Sequence, residues 1–397
     1  MNFSRKQFIH HCINTGLFLT VPEFLENCKT NTLSTRNYGQ DGKDPIQNAE
    51  SSGLRTPILK AINVGITAPN PHNTQAWKFR IINDKEMFLY VDEKRILPQT
   101  DPPARQIHIG QGTFLEHLKI GASVIGYKTQ IALLPEGTYK FQEIGQKPIA
   151  KVVLEKDTNI KKDSLYDAVP NRATNRCKYE GEMIQKEEYA KILSLTKPKY
   201  STLKFINDTN SLGTYKEKLK EAFTIETNTF AKHEESRIWF RYNDEEIYDK
   251  RDGISLRGNG LSGIKLWIVE KFFLTHGKEV WHSESNKKGG IDIFRDQVES
   301  TKALVLFKTI GNSLKDQVQV GMDYARFQLS VTSLDLVMHP MSQILQEYPE
   351  MNQLREELEK MEQIQSDEKI QMMVRLGRSD YQFLSPRRNP KSMILGT

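Results

Sequence analysis

Residues 68–79 read Ala68-Pro69-Asn70-Pro71-His72-Asn73-Thr74-Gln75-Ala76-Trp77-Lys78-Phe79. Just before them, Ile58, Leu59, Ile62 and Ile66 recur at helical spacing, so a helix over 56–66 ends at the two prolines. After them, Trp77–Ile82 and Met87–Val91 read as two strands joined by a turn at Asn83-Asp84. The loop between helix and strand therefore carries three amides, Asn70, Asn73 and Gln75, within a few residues. Each amide offers a donor and an acceptor, which suits a flat polar heterocycle. The same residues also form self-bonded turns, the ordinary role of Asn in a loop.

Working outward, Ile107 to Tyr127 reads as a long helix, and Ile131–Leu134 and Ile149–Leu154 read as strands. Residues 167–178 are polar and without period, and a helix follows over Gln185–Leu195. A strand is expected over Ala303–Ile310, the longest amphipathic helix over Gln317–Leu336, a charged helix over Ile344–Glu362 and a strand over Gln371–Leu376. The order helix, strands, long helix, strand occurs twice, in 56–154 and again in 185–376. This is a repeat of elements rather than of residues. Residues 208–300 are irregular, with helical pieces and Gly-rich breaks. Gly258 to Gly263 match G-x-G-x-x-G, yet no clear strand precedes them, so they read as a flexible loop.

The chain has 397 residues, enough for two or three domains or one large one. Its 38% hydrophobic and 27% charged content excludes wholesale disorder. Beyond the first thirty residues no apolar run is long enough to span a bilayer. The net charge of +6 permits an anionic ligand, but no dense basic stripe points to nucleic acid. Cys12, Cys28 and Cys177 make no disulfide framework and no zinc spacing, and no G-x-S-x-G elbow is present. At the N-terminus, Ser4-Arg5-Lys6-Gln7-Phe8-Ile9 is similar to a degenerate twin-arginine export signal, and an amphipathic helix is the alternative. The location is accordingly cytoplasmic, or periplasmic if that signal is used. Residues 30–52 are polar and read as a linker.

Three further groups carry chemistry. Asn171-Arg172-Ala173-Thr174-Asn175-Arg176 in extended chain puts Arg172, Thr174 and Arg176 on one face, a pair of guanidiniums and a hydroxyl that suit a phosphate. A solvated basic loop is the plainer reading. His339-Pro340-Met341-Ser342-Gln343 follows the longest helix, where a proline frees the next backbone N–H groups or merely stops the helix. Ser385-Pro386-Arg387-Arg388 gives a basic pair near the C-terminus that also reads as a wet tail.

Together these motifs resemble the FMN-dependent nitroreductase family, in its Acg-type branch. The loop at 68–79 is similar to the family's A-P-S-S-x-N-x-Q-P-W, with Asn70 in place of Ser and Ala76 in place of Pro. Arg172, Thr174 and Arg176 fit R-x-S-x-R/K. In ordinary members the arginine motif precedes the amide loop by about thirty residues, and two chains share each flavin. Here Asn73 comes 99 residues before Arg172. Residues 46–51 hold no arginine pair, and 198–205 lack the amides, so the two losses are complementary.

The resemblance thus implies an α+β fold with two tandem nitroreductase-like halves. Each half would have an antiparallel sheet flanked by helices, and together they would form a pseudo-dimer with one FMN site. The expected parts are residues 1–50, a first half at 51–165 and a second at 166–397, with a lid insertion near 208–300. It further implies that Arg172, Thr174, Arg387 and Arg388 hold the phosphate and that Arg176 lies near flavin N1. Asn70, Asn73 and Gln75 would reach the flavin from the other half. The loop Pro340, Met341, Ser342 and Gln343 would face N5, the last two through backbone N–H groups. No acid or base side chain is implied as catalytic. The implied activity passes electrons from NAD(P)H through FMN to nitro or quinone-like small molecules, in a monomer or a homodimer. The alternative is a flavin-sequestering protein whose lid prevents turnover.

Overall fold

The structure is a computed structural model that describes residues 43–270 and 277–396. The signal-like N-terminus and Cys12 and Cys28 lie outside the described residues. The first half opens with helix α1 (Pro57–Gly65), started by Pro57 and by the Thr56 hydroxyl, which accepts the Leu59 N–H. It continues through β1 (Trp77–Asn83) and β2 (Glu86–Val91), the long helix α2 (Arg105–Val124), β3 (Tyr127–Leu133) and β4 (Ala150–Lys156). The second half has α3 (Lys186–Thr196), β5 (Thr202–Ile206), the helices α4 (Thr209–Asn228), α5 (Phe230–Ile238) and α6 (Glu284–Glu299), then β6 (Ala303–Ile310). It closes with α7 (Leu314–Ser333), β7 (Val337–Pro340), α8 (Asn352–Met361) and β8 (Glu368–Gly377).

The two four-stranded sheets have the same topology. Their orders are β1-β2-β4-β3 and β5-β6-β8-β7, all pairs antiparallel. Each sheet packs on its own core. Trp77, Phe79 and Phe114 cluster in the first, with ring centroids 5.2 Å apart, and Phe307, Tyr324 and Phe327 in the second. The two halves meet where α2 crosses α7. Both helices are 20 residues long, and the crossing pairs Gly112 with Gly321, each the eighth residue of its helix. A methyl group at Gly112 would stand 1.8 Å from the Val318 carbonyl oxygen, and one at Gly321 would stand 2.1 Å from that of Ile109. Val318 and Ile109 are in turn the fifth residues of their helices. Such reciprocity is the mark of a two-fold interface, here enclosed in one chain.

Four expectations change. The linker read over 30–52 is helical over Pro45–Ser51, capped by Asp44, with Ile46 and Ala49 buried. The helix over 344–362 is α-helical only from Asn352, because Pro349 lacks an N–H and keeps Tyr348 extended. Two short strands, β5 and β7, appear where none was expected, and both lie at sheet edges. Residues 208–300 are mostly body: Leu212, Leu219 and Ala222 of α4 pack with Phe294 and Val298 of α6 against Leu304 and Leu306 of β6. Parts of the insertion also reach the first half: Glu235 of α5 accepts the Gln99 and Thr100 N–H groups, and Trp239 joins the first core. Gly253, Ile254, Ser255 and Gly258, beside a two-residue parallel pairing of Phe240–Arg241 with Ile254–Ser255, line a cleft at the junction.

Candidate functional site

Helix α1 ends at Gly65, which leaves the carbonyls of residues 66–68 without helical partners. The chain then makes a strained loop. His72, Asn73 and Gln75 all have positive φ, at 48°, 52° and 52°. Strain of this kind is held only where the surroundings fix it. The Asn70 Oδ1 accepts the Gln75 N–H at 2.8 Å, and Gly110 of α2 lets Pro71 approach to 3.3 Å of where a side chain would begin. Gln75 is consumed by structure: its Nε2 donates to the Arg251 carbonyl and its Oε1 accepts the Arg388 N–H, both at 2.8 Å.

Two arginines, Arg172 and Arg387, converge on this helix end, and a third, Arg176, bonds to the insertion beside it. The Arg172 Nε donates to the Thr67 carbonyl at 3.0 Å and its Nη1 to the Gln328 Oε1 at 3.2 Å. The Arg387 Nε donates to the Ile66 carbonyl at 2.7 Å and its Nη1 to the Asn73 Oδ1 at 2.9 Å. Carbonyls at a helix C-terminus carry partial negative charge, which favours cations there. The Arg176 Nη1 meets the Gly258 carbonyl of the insertion at 3.3 Å. Burial lowers both Arg172 and Arg176 to about 10, so both stay charged at neutral pH. Arg387 is pushed well down by burial and by the charge of Arg172. His72 is lowered to about 4 by burial and by Arg176.

Arg172, Arg176, Arg387, Asn70 and Asn73 line one cleft, partly open to solvent. Pro69, Asn70 and Asn73 come from the first half, Arg172, Ala173, Thr174 and Arg176 from the connecting segment, and Arg387 from the C-terminal tail. No carboxylate is among the lining residues. Six of the residues singled out in the sequence are thereby gathered in one place: Asn70, Asn73, Arg172, Thr174, Arg176 and Arg387.

Six others are placed elsewhere. Pro340 ends β7, Met341 is buried in the second core with its N–H donated to the Met373 carbonyl at 2.7 Å, and Ser342 and Gln343 begin the next turn. None of the four lines the cleft, because the edge strand and its core hold them. Arg388 turns to the first half, to the Gln75 carbonyl at 3.2 Å and toward Asp92 at 3.8 Å. Gln75 is spent as described. Sequence reasoning missed Gly253, Ile254 and Ser255 of the insertion, and Phe383 and Ser385 of the tail. No local pattern marks Gly253, Ile254, Ser255 or Phe383, and Ser385 stands in the Ser385-Pro386-Arg387-Arg388 motif only as the neighbour of its basic pair.

No protein-family model matches the chain. Among curated proteins, it is 30% identical over 83 residues to a candidate NAD(P)H nitroreductase, acg, of Mycobacterium tuberculosis, which covers 21% of this chain and 25% of the relative. A second candidate NAD(P)H nitroreductase of that organism, Rv3131, is 27% identical over 143 residues, 35% of this chain and 39% of the relative. The matched stretches thus span between a quarter and two fifths of each relative's length. Among solved structures, the FMN and NADPH-dependent nitroreductase NfnB of Sphigopyxis sp. strain HMH aligns at 13% identity with a TM-score of 0.37, over 59% of this chain and 99% of that one. A nitroreductase-like family protein of Bacillus cereus aligns at 12% identity with a TM-score of 0.32, over 58% and 92%. Over part of its length, then, the chain is similar in sequence to two mycobacterial proteins named as NAD(P)H nitroreductases, and it carries two sheets of one topology in a single chain.

Proposed function

We propose that the chain is an FMN-dependent oxidoreductase that takes electrons from NAD(P)H and passes them to nitro or quinone-like small molecules. The observation that carries this reading is the cleft itself: two buried guanidiniums and a half-buried one, two amides and no carboxylate, contributed by both halves. Such a set fits an anionic, hydrogen-bonding cofactor. When bound there, FMN supplies hydride transfer. Arg172 and Arg387 hold its phosphate, with the Thr174 hydroxyl beside them. Arg176 places positive charge at the other part of the cleft, and Asn70 and Asn73 orient the ligand from the first half. Burial of Arg172 and Arg387 strengthens the contacts those two make.

A second reading, a flavin-holding protein with little turnover, draws on the insertion. Gly253 donates its N–H to the Asn73 carbonyl at 3.3 Å, and the neighbouring Asp252 is ion-paired with both Arg95 and Arg241. These bonds hold part of the insertion against the cleft. Anaerobic addition of NADH or NADPH to the FMN-loaded protein separates the two. Rapid bleaching of the flavin absorption supports the oxidoreductase, and a protein that stays yellow supports the holder. A colourless protein that rejects FMN contradicts both.

A further inference from the structure

Arg172 and Arg387 lie 215 positions apart in the chain, yet they share one acceptor. The Arg172 Nε donates to the Thr67 carbonyl at 3.0 Å, and the Arg387 Nη2 donates to the same oxygen at 3.3 Å. Two like charges meeting on one carbonyl repel each other, so the pair persists only if that carbonyl is fixed. Thr67 is fully buried, and its hydroxyl fixes it. The Oγ–H donates to the Val64 carbonyl at 2.7 Å, which leaves an oxygen lone pair for the His117 Nδ1 at 2.8 Å. His117 therefore carries its proton on Nδ1. Its Nε2 is buried with no hydrogen-bond partner among the described residues. Leaving a buried polar atom unpaired costs about 1–3 kcal/mol, and a purely packing position would be filled at lower cost by an apolar side chain. Burial and the charges of Arg172 and Arg387 keep the imidazole neutral, so it adds no third positive charge to the pair.

We propose that His117, acting through the Thr67 hydroxyl, is the positioning residue that holds Arg172 and Arg387 together as one site for a phosphate monoester. The inference rests on the reading that this cleft takes FMN by its phosphate. The test compares FMN with riboflavin, which lacks the phosphate, by fluorescence titration of the cofactor-free full-length protein. The wild type is expected to bind FMN at least tenfold more tightly than riboflavin. Thr67→Val keeps the shape but not the hydroxyl, and it should reduce that preference about tenfold while riboflavin affinity stays the same. Thr67→Ser should restore it. His117→Asn, which can keep a donor near the Nδ1 position, should retain more of the preference than His117→Phe. A general folding defect would lower both affinities together, and that result would overturn the assignment. So would a full preference surviving in Thr67→Val. A wild type that binds both flavins equally would overturn the phosphate reading itself, and the positioning role with it.

Discussion

Arg172 illustrates both what a sequence carries and what it hides. Alternation in an extended chain gathers Arg172, Thr174 and Arg176, and all three line the cleft. Ala173 lines it as well, so the segment is not a regular strand. Asn175 instead points away, its Nδ2 donating to the Tyr381 carbonyl at 2.7 Å and its N–H to Met338 at 3.0 Å. Several acceptors of the guanidiniums are main-chain carbonyls, those of Ile66 and Thr67 just past α1 and that of Gly258 in the insertion, and no side-chain pattern records those. Arg172→Ala should weaken FMN binding about 10- to 100-fold, the range for a lost charged hydrogen bond, with riboflavin little affected; titration of both ligands checks it. A different residue reports on stability. Burial pushes the Glu226 carboxyl up to about 7, and nearby Glu235 adds to the rise while Gln346 opposes it. The folded state then holds a proton that the unfolded chain releases near pH 4.5, so stability falls as pH rises from about 4.5 to about 7 and levels above. The loss is roughly 3 kcal/mol at most. Glu226→Gln should flatten it, seen as a smaller gap between melting temperatures at pH 5 and pH 8.

At the scale of elements, most helices and central strands were legible because burial imposes period on them. Helix α1 and strands β1 and β2 fall where their apolar residues recur. Edge strand β7 was not legible, since its four residues show no alternation, and β5, whose Leu203 and Phe205 do alternate with Thr202 and Lys204, is only five residues long. Nor could the sequence announce the α2–α7 crossing, which depends on two glycines 209 positions apart. Gly112→Ala drives a methyl group into the Val318 carbonyl, part of a helix backbone that cannot yield. It should cost about 3 kcal/mol or more, at or beyond the usual overpacking range. Gly213, in α4, has nothing within 4 Å of a side chain placed there. Gly213→Ala should therefore stabilise by roughly 0.5–1 kcal/mol. Thermal or urea unfolding of the pair distinguishes a tight crossing from a general intolerance of alanine.

At the scale of the whole molecule, one chain does what an isologous pair would do, and the two halves have diverged. The connection from α1 to β1 runs eleven residues (66–76), while its counterpart from α3 to β5 runs five (197–201). In the shorter one, the Asp323 carboxylate accepts the N–H groups of Lys199, Tyr200 and Ser201 at 2.8–2.9 Å. No amide loop of the 66–76 length fits there, so among the described residues this connection does not repeat the cleft of the first half. The complementary losses visible in the sequence thus have a physical counterpart in loop length and in a carboxylate that ties the short loop to α7. The +6 net charge also gains a location, since three of its arginines meet at that junction.

The central claim is a single FMN site built across both halves, and flavin stoichiometry tests it most directly. Purified full-length protein, saturated with FMN and freed of excess, should show one flavin per chain by absorbance against protein concentration. Arg172→Ala with Arg176→Ala should abolish most of that signal while the fold, followed by circular dichroism, persists. Two flavins per chain, or a double variant that keeps its full flavin content, would contradict the account.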